Sequence, residues 1–148
     1  MLVVLNVLIV LFTFIVMEFV AWATHKYVMH GFLWNLHKDH HVVDKNKVLQ
    51  KNDYFFLIFA IPSIILIYFG LANLSIGFFI GLGILFYGIA YFVVHEIIIH
   101  RRLPPPKKTK SRYIKAIRKA HKIHHKNLGK HDGVNFGMLI VPRKYFKS

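Results

Sequence analysis

The chain has 148 residues, 55% of them apolar, and its 20 lysines and arginines against six acids give a formal net charge of +14. Disordered segments are poor in apolar residues, so the chain is not a disordered tail. A single core of this size cannot bury so much apolar surface, which argues against an ordinary soluble domain. Because the chain has no Cys, it cannot form a disulfide scaffold, a thiolate zinc site, an iron–sulfur cluster or a c-type haem.

Three apolar segments, about 2–24, 54–71 and 75–95, alternate with charged ones. About 20 apolar residues suffice to cross a bilayer as a helix, so the sequence predicts an all-α membrane protein with three transmembrane helices. The first segment is not typical of a signal peptide, because it lacks a basic start and no small-residue cleavage site follows it. Pro62 is expected to kink the second helix.

The third apolar segment carries four glycines, Gly77, Gly81, Gly83 and Gly88. Small residues let neighbouring membrane helices approach each other closely. We therefore expect these four positions to lie at contacts between the helices.

The basic residues are confined to two parts of the chain. Residues 26–53 contain five and residues 101–148 contain fifteen, whereas the stretches before and between them contain none. Cytoplasmic segments of membrane proteins carry an excess of Lys and Arg, which predicts that segments 25–53 and 96–148 are cytoplasmic and that the N-terminus is outside. The same pattern accounts for the sequence pI of about 10.2, so no nucleic-acid partner is expected.

The second basic segment is predicted to form an amphipathic helix at 112–127 that lies on the membrane surface. The prolines at 104–106 stop the third helix from continuing, and Ser111 is the residue type of an N-cap. The tail from 129 to 148 is expected to be irregular. It is predicted to dock on the rest of the protein through Phe136, Met138, Leu139, Ile140 and Val141.

Ten of the eleven histidines fall into four clusters, and the order of the clusters repeats. A pair spaced H-x4-H is followed by a triplet spaced H-x2-H-H, once after the first apolar segment and once after the third. The ten are His25, His30, His37, His40, His41, His95, His100, His121, His124 and His125. All lie at or beyond a predicted helix end on the same side of the membrane.

Neutral imidazole is the commonest nitrogen ligand of transition metals, so the clusters predict a metal site. The three side chains of H-x2-H-H face one way on a helix. Residues five apart lie about 140° apart on an α-helix, so we expect a π-bulge or a helix end within each pair. Ten imidazoles exceed what one ion can hold and suit two octahedral ions with room for oxygen species or water. Imidazole alone does not distinguish Zn, Cu, Fe and Ni.

Two acids and the eleventh histidine are candidates for supporting the metal ligands. An acid within a membrane segment is costly and indicates a function. Glu18 shares a helix face with His25, and Glu96 adjoins His95, so each is expected to hydrogen-bond a ligating ring or to pair with a basic residue at the interface. His131 lies outside the clusters and is a candidate for a further ligand or supporting group.

Two tyrosines precede the third cluster on its own helix face. Tyr87 and Tyr91 lie eight and four residues before His95, a spacing that places all three on one side of a helix. Both are candidates for the wall of a substrate pocket, with membership of an aromatic belt as the alternative. No catalytic residue is expected beyond the metal ligands.

Each cluster resembles a histidine box of one known family. Residues 18–31 (EFVAWATHKYVMHG) closely resemble the first box of the bacterial carotenoid 3-hydroxylases, which belong to the membrane fatty acid hydroxylase superfamily. Residues 33–41 (LWNLHKDHH) resemble the second box, 95–104 (HEIIIHRRLP) the third and 121–125 (HKIHH) the fourth, and 136–137 (FG) are similar to the family's tail. The resemblance covers nearly the whole chain.

The resemblance implies one integral membrane hydroxylase domain over residues 1–148, located in a bacterial inner membrane. It implies a non-haem di-iron centre held by the ten clustered histidines, O2 as co-substrate and electrons from a ferredoxin-like donor. The implied reaction is hydroxylation of C3 on the β-ionone rings of a carotenoid taken from the bilayer, from β-carotene to β-cryptoxanthin and zeaxanthin. The basic tail could bind anionic membrane lipid and steer an acidic donor.

Other functions remain open at this point. A fatty acyl or sterol hydroxylase, or a desaturase, would use the same centre on another substrate. A haem b electron carrier places facing His pairs within adjacent helices rather than triplets beyond them. A divalent-metal transporter needs polar residues at mid-membrane, which the second and third apolar segments lack.

Overall fold

The computed structural model describes residues 1–42, 49–102 and 109–146. Within these ranges the chain is helical and contains no strand, which confirms the predicted all-α fold. The helices are α1 (Leu2–Ala23), α2 (Trp34–His41), α3 (Tyr54–Gly70), α4 (Ile76–Phe92) and α5 (Arg112–His124), with π-helical segments at Thr24–Phe32 and Val93–Ile99 and 3-10 turns at Lys51–Asp53 and Arg143–Phe146.

Three helical segments are long and apolar enough to cross a membrane, namely Leu2–Phe32, Lys51–Gly70 and Ile76–Ile99. Large apolar side chains cover their outer surfaces, and Phe12 and Ile64, for example, are 69% and 63% exposed. Continuous apolar surfaces of this kind are unfavourable in water and stable in lipid. The protein is therefore a membrane protein.

The third apolar helix, α4, packs against both α1 and α3, and two of its glycines make this possible. A Cβ atom on Gly83 would lie 2.6 Å from Cβ of Thr13 on α1, and one on Gly81 would lie 2.8 Å from Cγ1 of Ile67 on α3. Ser63 Oγ on α3 also donates a hydrogen bond to the Gly81 carbonyl at 2.8 Å. These two glycines confirm the predicted role in helix packing.

Other expectations for the membrane helices turn out differently. Gly88 has no neighbour within 4 Å of where its Cβ would stand, and Gly77 would make only ordinary contacts. Gly77 lies at a helix contact, with Leu66 of α3, but the prediction is wrong for Gly88, because nothing from a neighbouring helix approaches its face of α4. Pro62 lies inside α3, which continues to Gly70.

The helix irregularity predicted within each histidine pair is confirmed. The first pair lies in the π-helical continuation of α1 and the second spans the π-helical end of α4. At the ends of these segments, the Leu33 amide donates to the Val28 carbonyl at 3.0 Å, and the His100 amide to the His95 carbonyl at 2.9 Å. Each bond spans five residues, so the widened turn brings residues five apart to one face.

Helix α5 begins as predicted, because Ser111 Oγ accepts a hydrogen bond from the Ile114 amide. It ends at His124, three residues before the predicted end, because the chain turns after that residue. The prolines at 104–106 lie outside the described residues. The buried face of α5 consists of Ala116, Ile117, Ala120, His121 and His124.

The tail after α5 is irregular up to a 3-10 turn at Arg143–Phe146, as expected. Met138 is 2% exposed, and Leu139 and Val141 pack against buried residues of the helices. Ile140 was expected to dock as well, but it is 74% exposed. Its two neighbours in the chain, Leu139 and Val141, occupy the positions that pack against the helices.

We expect Gly83→Ala to destabilise the protein, because the new methyl group would overlap the Thr13 side chain and force α1 away from α4. Overpacking of this kind costs about 1–3 kcal/mol. Gly88→Ala is the matched control, since the added methyl group meets open space. Thermal unfolding of the two variants in detergent should show a lower midpoint for Gly83→Ala alone, and equal midpoints would contradict the packing role.

Candidate metal centre

Five histidines from three segments of the chain converge on one point. One ring nitrogen from each lies within 4.8 Å of the corresponding nitrogen of the other four, and all five residues are buried. Two come from the π-helical end of α1, two from α2 and one from α5. We call this set the first histidine group: His25, His30, His37, His41 and His124.

Four other histidines form a second group with the same spacing of ring nitrogens, His40, His95, His100 and His121. His125 lies beside this group, since its Nε2 atom is 2.8 Å from Nε2 of His121. The structure thus brings together all ten clustered histidines. Neither group corresponds to a single sequence cluster, because the middle histidine of each triplet, His40 or His124, lies with the group opposite to that of its two neighbours.

The rings are oriented so that Nε2 points into the groups and Nδ1 points outward. Within the first group, Nε2 of His37 lies 3.2 Å from Nε2 of both His25 and His41. Within the second group, Nε2 of His40 lies 3.0 Å from Nε2 of His95. Nitrogen atoms that present lone pairs to one another at this distance repel, and a cation between them removes the repulsion. The donor set therefore fits metal ions.

Outward-facing Nδ1 atoms of seven histidines lie within hydrogen-bond distance of an oxygen atom. A ring that donates from Nδ1 keeps its lone pair on Nε2, which is the tautomer a metal ligand needs. The oxygens belong to the Phe136, Lys130, Asn127 and Val134 carbonyls for His25, His30, His41 and His124, and to the Asn52, Gln50 and Glu96 side chains for His37, His40 and His95.

Burial also keeps these rings neutral. It lowers the pKa of His37 to about 2, although the hydrogen bond to Asn52 opposes the shift. Burial and the neighbouring rings lower the pKa of His125 to about 2, and burial lowers that of His41 to about 4. At neutral pH these imidazoles are therefore uncharged and able to bind a metal ion.

The four carbonyls that face the first group all come from the segment after α5. Asn135 fixes the path of this segment, since its Nδ2 donates to the Ala120 carbonyl and to the Tyr145 hydroxyl at 3.2 and 2.7 Å. Asp132 and Asn135 adopt left-handed backbone conformations, with φ of 62° and 60°. Asn and Asp tolerate this conformation better than most residues, which lets the segment curve around the histidines.

Glu18 acts on the site through the tail. Its Oε1 accepts hydrogen bonds from the amides of Met138, Leu139 and Ile140 at 2.8–3.0 Å, and its Oε2 accepts one from the Tyr87 hydroxyl at 2.7 Å. The expected bond to a histidine ring is not among the contacts of the described residues. The carboxylate instead anchors the tail to α1, next to the carbonyl that faces His25.

Glu96 lies where the sequence predicted. Its Oε1 is 2.5 Å from Nδ1 of His95, and its Oε2 is 3.0 Å from Nε of Arg102. Arg102 also pairs with Asp53 at 2.9 Å. A carboxylate held in this way orients the His95 ring and makes it a stronger ligand.

Sequence reasoning missed Asn52 and Gln50. Oδ1 of Asn52 is 2.6 Å from Nδ1 of His37, and Oε1 of Gln50 is 3.1 Å from Nδ1 of His40. The 3-10 turn Lys51–Asp53, with Gln50 directly before it, places both amides next to α2. Little in the sequence points to these two residues, because two amides in a polar loop before an apolar segment are common.

Three other candidate residues lie elsewhere. His131 is exposed and belongs to neither histidine group, because the chain turns outward at this point. Tyr87 is 3% exposed in the core between α1 and α4, and its hydroxyl is taken up by Glu18. Tyr91 packs against Tyr87 and the His95 ring. Neither tyrosine is among the residues that line the cavity beside the histidines, so their place in a substrate pocket stays a prediction.

Comparison with known proteins identifies the family. The family model described as fatty acid hydroxylase matches residues 10–143. The chain belongs to the fatty acid hydroxylase family. This family model spans all ten clustered histidines and the tail segment that faces them.

Several curated relatives of this chain are named as beta-carotene hydroxylases. The chain is 40% identical to a beta-carotene hydroxylase of Pantoea ananas over 93% of its own length and 78% of the relative. It is 36% identical to a beta-carotene hydroxylase of Paracoccus sp. (strain N81106 / MBIC 01143), over 93% and 85%. It is 34% identical to the chloroplastic beta-carotene 3-hydroxylase 2 of Arabidopsis thaliana, over 86% and 43%. No solved structure matches the chain.

We expect Asn52→Leu to weaken metal binding about 10–100-fold, the usual cost of losing a hydrogen bond to a ligating histidine. Asn52→Asp is the control, because it keeps an acceptor oxygen facing His37. Metal content after equilibration with a competing chelator measures the difference. Equal retention by Asn52→Leu and the unmodified protein would contradict the role of this amide.

Replacing Glu18 should release the tail. In Glu18→Ala three tail amides and the Tyr87 hydroxyl lose their acceptor, and each buried unpaired group costs about 1–3 kcal/mol. We expect faster tryptic cleavage at Lys130 and Arg143, together with loss of metal. Glu18→Gln retains an acceptor oxygen and should remain closer to the unmodified protein. A tail that resists trypsin equally in all three proteins would show that Glu18 does not anchor it.

Proposed function

We propose that the protein is an oxygen-dependent hydroxylase that adds a hydroxyl group at C3 of the β-ionone rings of β-carotene, giving β-cryptoxanthin and then zeaxanthin. The observation that carries this proposal is the convergence of nine histidines in two groups, with His125 beside the second, at the ends of apolar helices. The likeness to curated beta-carotene hydroxylases over most of the chain supports the substrate. The whole chain, 1–148, would act as one integral membrane domain.

We further propose that two iron ions occupy the site, one in each histidine group, with His125 completing the second. An all-nitrogen donor set of neutral imidazoles fits iron, although it also fits zinc, copper and nickel. When bound, the iron ions supply the activation of O2. The ligands we assign are His25, His30, His37, His41 and His124, and His40, His95, His100, His121 and His125.

The residues of the chain have three tasks in this reaction. The oxygens that face Nδ1 orient the rings and hold one tautomer, so the ligand geometry exists before an ion binds. Burial excludes water from the site, and His37, His40, His95 and His124 are among the most buried side chains of the protein. Placing the site at the helix ends lets an apolar substrate stay in lipid while one end reaches the metal.

The orientation in the membrane and the electron donor belong to this proposal as well. The excess of Lys and Arg in 25–53 and 96–148 supports a cytoplasmic site and an outside N-terminus in a bacterial inner membrane. The exposed basic face of α5, which includes Lys115 and Lys122, supports docking of an acidic, ferredoxin-like donor or of anionic lipid.

A second candidate function is hydroxylation or desaturation of a fatty acyl or sterol substrate. The name of the matching family model favours it, and the same metal site would serve such a reaction. Identifying which lipid gains oxygen in cells that contain both kinds of substrate distinguishes the two functions.

The test is expression in bacteria engineered to accumulate β-carotene, with pigments separated by chromatography. We expect β-cryptoxanthin and zeaxanthin from the unmodified protein. We expect no hydroxylated product from His40→Ala, His95→Ala or His124→Ala, because each loses a ligand. His131→Ala is the matched control, since this exposed histidine belongs to neither group, and it should remain active.

Metal analysis of the same membranes completes the test. Unchanged pigment in the presence of a metal-loaded protein would contradict the carotenoid assignment and leave the acyl or sterol reaction. An active His124→Ala variant would remove that residue from the assigned ligands. A Soret band in the purified protein would instead indicate a haem carrier.

A further inference from the structure

A cavity of about 510 Å³ lies beside the second histidine group, between α1, α5 and the tail. Its volume falls within the ~300–1,000 Å³ typical of small-molecule sites. Apolar side chains form most of its wall, among them Trp22 of α1, Ile99 at the end of α4 and Ile117 of α5. His121, a member of the second group, also lines it.

The side of the cavity between α1 and the tail is lined by residues on the outer surface of the protein. Ile15 and Phe19 of α1 are 66% and 65% exposed, and Ile140 of the tail is 74% exposed. All three also line the cavity. Since Ile15 and Phe19 belong to a membrane-spanning segment, this side opens to the lipid. A path therefore leads from the bilayer between α1 and the tail to a histidine of the metal site.

The polar side chains in the wall already have partners. The Glu18 carboxylate accepts four hydrogen bonds, from three tail amides and Tyr87. The Asn135 amide group donates to Ala120 and Tyr145. Nε2 of His121 faces the other rings of the metal site. A polar occupant would leave its own hydrogen-bonding groups unpaired in this cavity, which costs free energy. The wall therefore favours an apolar occupant.

We propose that this cavity receives the ring end of the carotenoid substrate while the polyene chain extends between Ile15 and Ile140 into the lipid. The proposal rests on the proposed function and adds the place where the substrate binds. The wall is apolar, the mouth faces lipid, and the inner end reaches a metal-site histidine. The proposed site is formed by α1, α5 and the tail, whereas the sequence suggested a pocket lined by Tyr87 and Tyr91.

A second cavity of the membrane helices provides a contrast. It measures about 590 Å³ between α1 and α4 and is lined by apolar residues such as Phe12 and Ile80, with no histidine in its wall. Apolar lining and volume alone therefore do not distinguish the two cavities. Contact with a histidine of the metal site distinguishes the first cavity from the second.

The test narrows the mouth from both sides. Ile15→Trp and Ile140→Trp add bulk at exposed positions, so neither change disturbs a packed core. Ile64→Trp, at an exposed isoleucine of α3 outside the cavity, is the matched control. In β-carotene-accumulating bacteria we expect each mouth variant to lower the conversion rate at least fivefold with unchanged metal content and membrane level. We expect the control to convert β-carotene like the unmodified protein.

A binding measurement separates failure of this proposal from failure of the proposed function. The chain has two tryptophans, of which Trp22 lines the cavity and Trp34 lies beside His30 and His41. In the purified protein carrying Trp34→Phe, the remaining fluorescence comes from Trp22. We expect β-carotene to quench it saturably, and far less in Trp34→Phe combined with Ile140→Phe.

The conversion and quenching experiments lead to different conclusions about the cavity and about the proposed function. Full conversion by both mouth variants would overturn the proposal and leave the cavity to a lipid acyl chain. If the unmodified protein makes no hydroxylated carotenoid, the proposed function fails and the quenching experiment alone decides the cavity. Saturable quenching would then support an apolar ring site, and its absence would overturn it.

Discussion

Bringing ten imidazole rings together creates an electrostatic problem that shapes most of this protein. Lone pairs on Nε2 atoms about 3 Å apart repel each other, and burial makes protonation of the rings unfavourable. A metal cation inside each group relieves the repulsion only if every ring holds the tautomer with its proton on Nδ1. A ring with its proton on Nδ1 needs an acceptor on its outer side, and seven of the rings have one, supplied by tail carbonyls, by Asn52 and Gln50, and by Glu96.

The membrane helices determine where the histidines and the groups that orient them lie. Two π-helical ends place residues five apart on one face, so that α1 and α4 each deliver a histidine pair at the end of a span. Close contacts at Gly81 and Gly83 hold α4 against both neighbours. The remaining membrane helix, α3, contributes no histidine, but the segment that precedes it carries Asn52 and Gln50. Each span thus contributes either ligands or the groups that orient them.

The metal-site histidines could be predicted from the sequence because imidazole has few structural roles that repeat at fixed spacing. The helix irregularity within each pair followed from simple geometry, and the acid next to His95 is close enough in the chain to reach that ring. The carbonyls that face His25 and His30 left no trace in the sequence, since any residue type supplies a carbonyl. The division into groups of five and four could not be read either, because it depends on how the segments assemble in three dimensions. The bond from the Tyr87 hydroxyl to Glu18 could not be read from the sequence either, because the two residues are 69 positions apart.

The outer partners make the two histidine groups electrostatically unequal. Around the first group the acceptors are neutral, four backbone carbonyls and the Asn52 amide. In the second group, His95 faces the Glu96 carboxylate, which is itself held by Arg102. A carboxylate raises the basicity of an imidazole more than a carbonyl does, so His95 is the stronger electron donor to its ion. This group also contains His121, which reaches the cavity. An ion held by the second group would therefore be the more electron-rich one and would lie next to the cavity, while the tail, anchored by Glu18, encloses the first group.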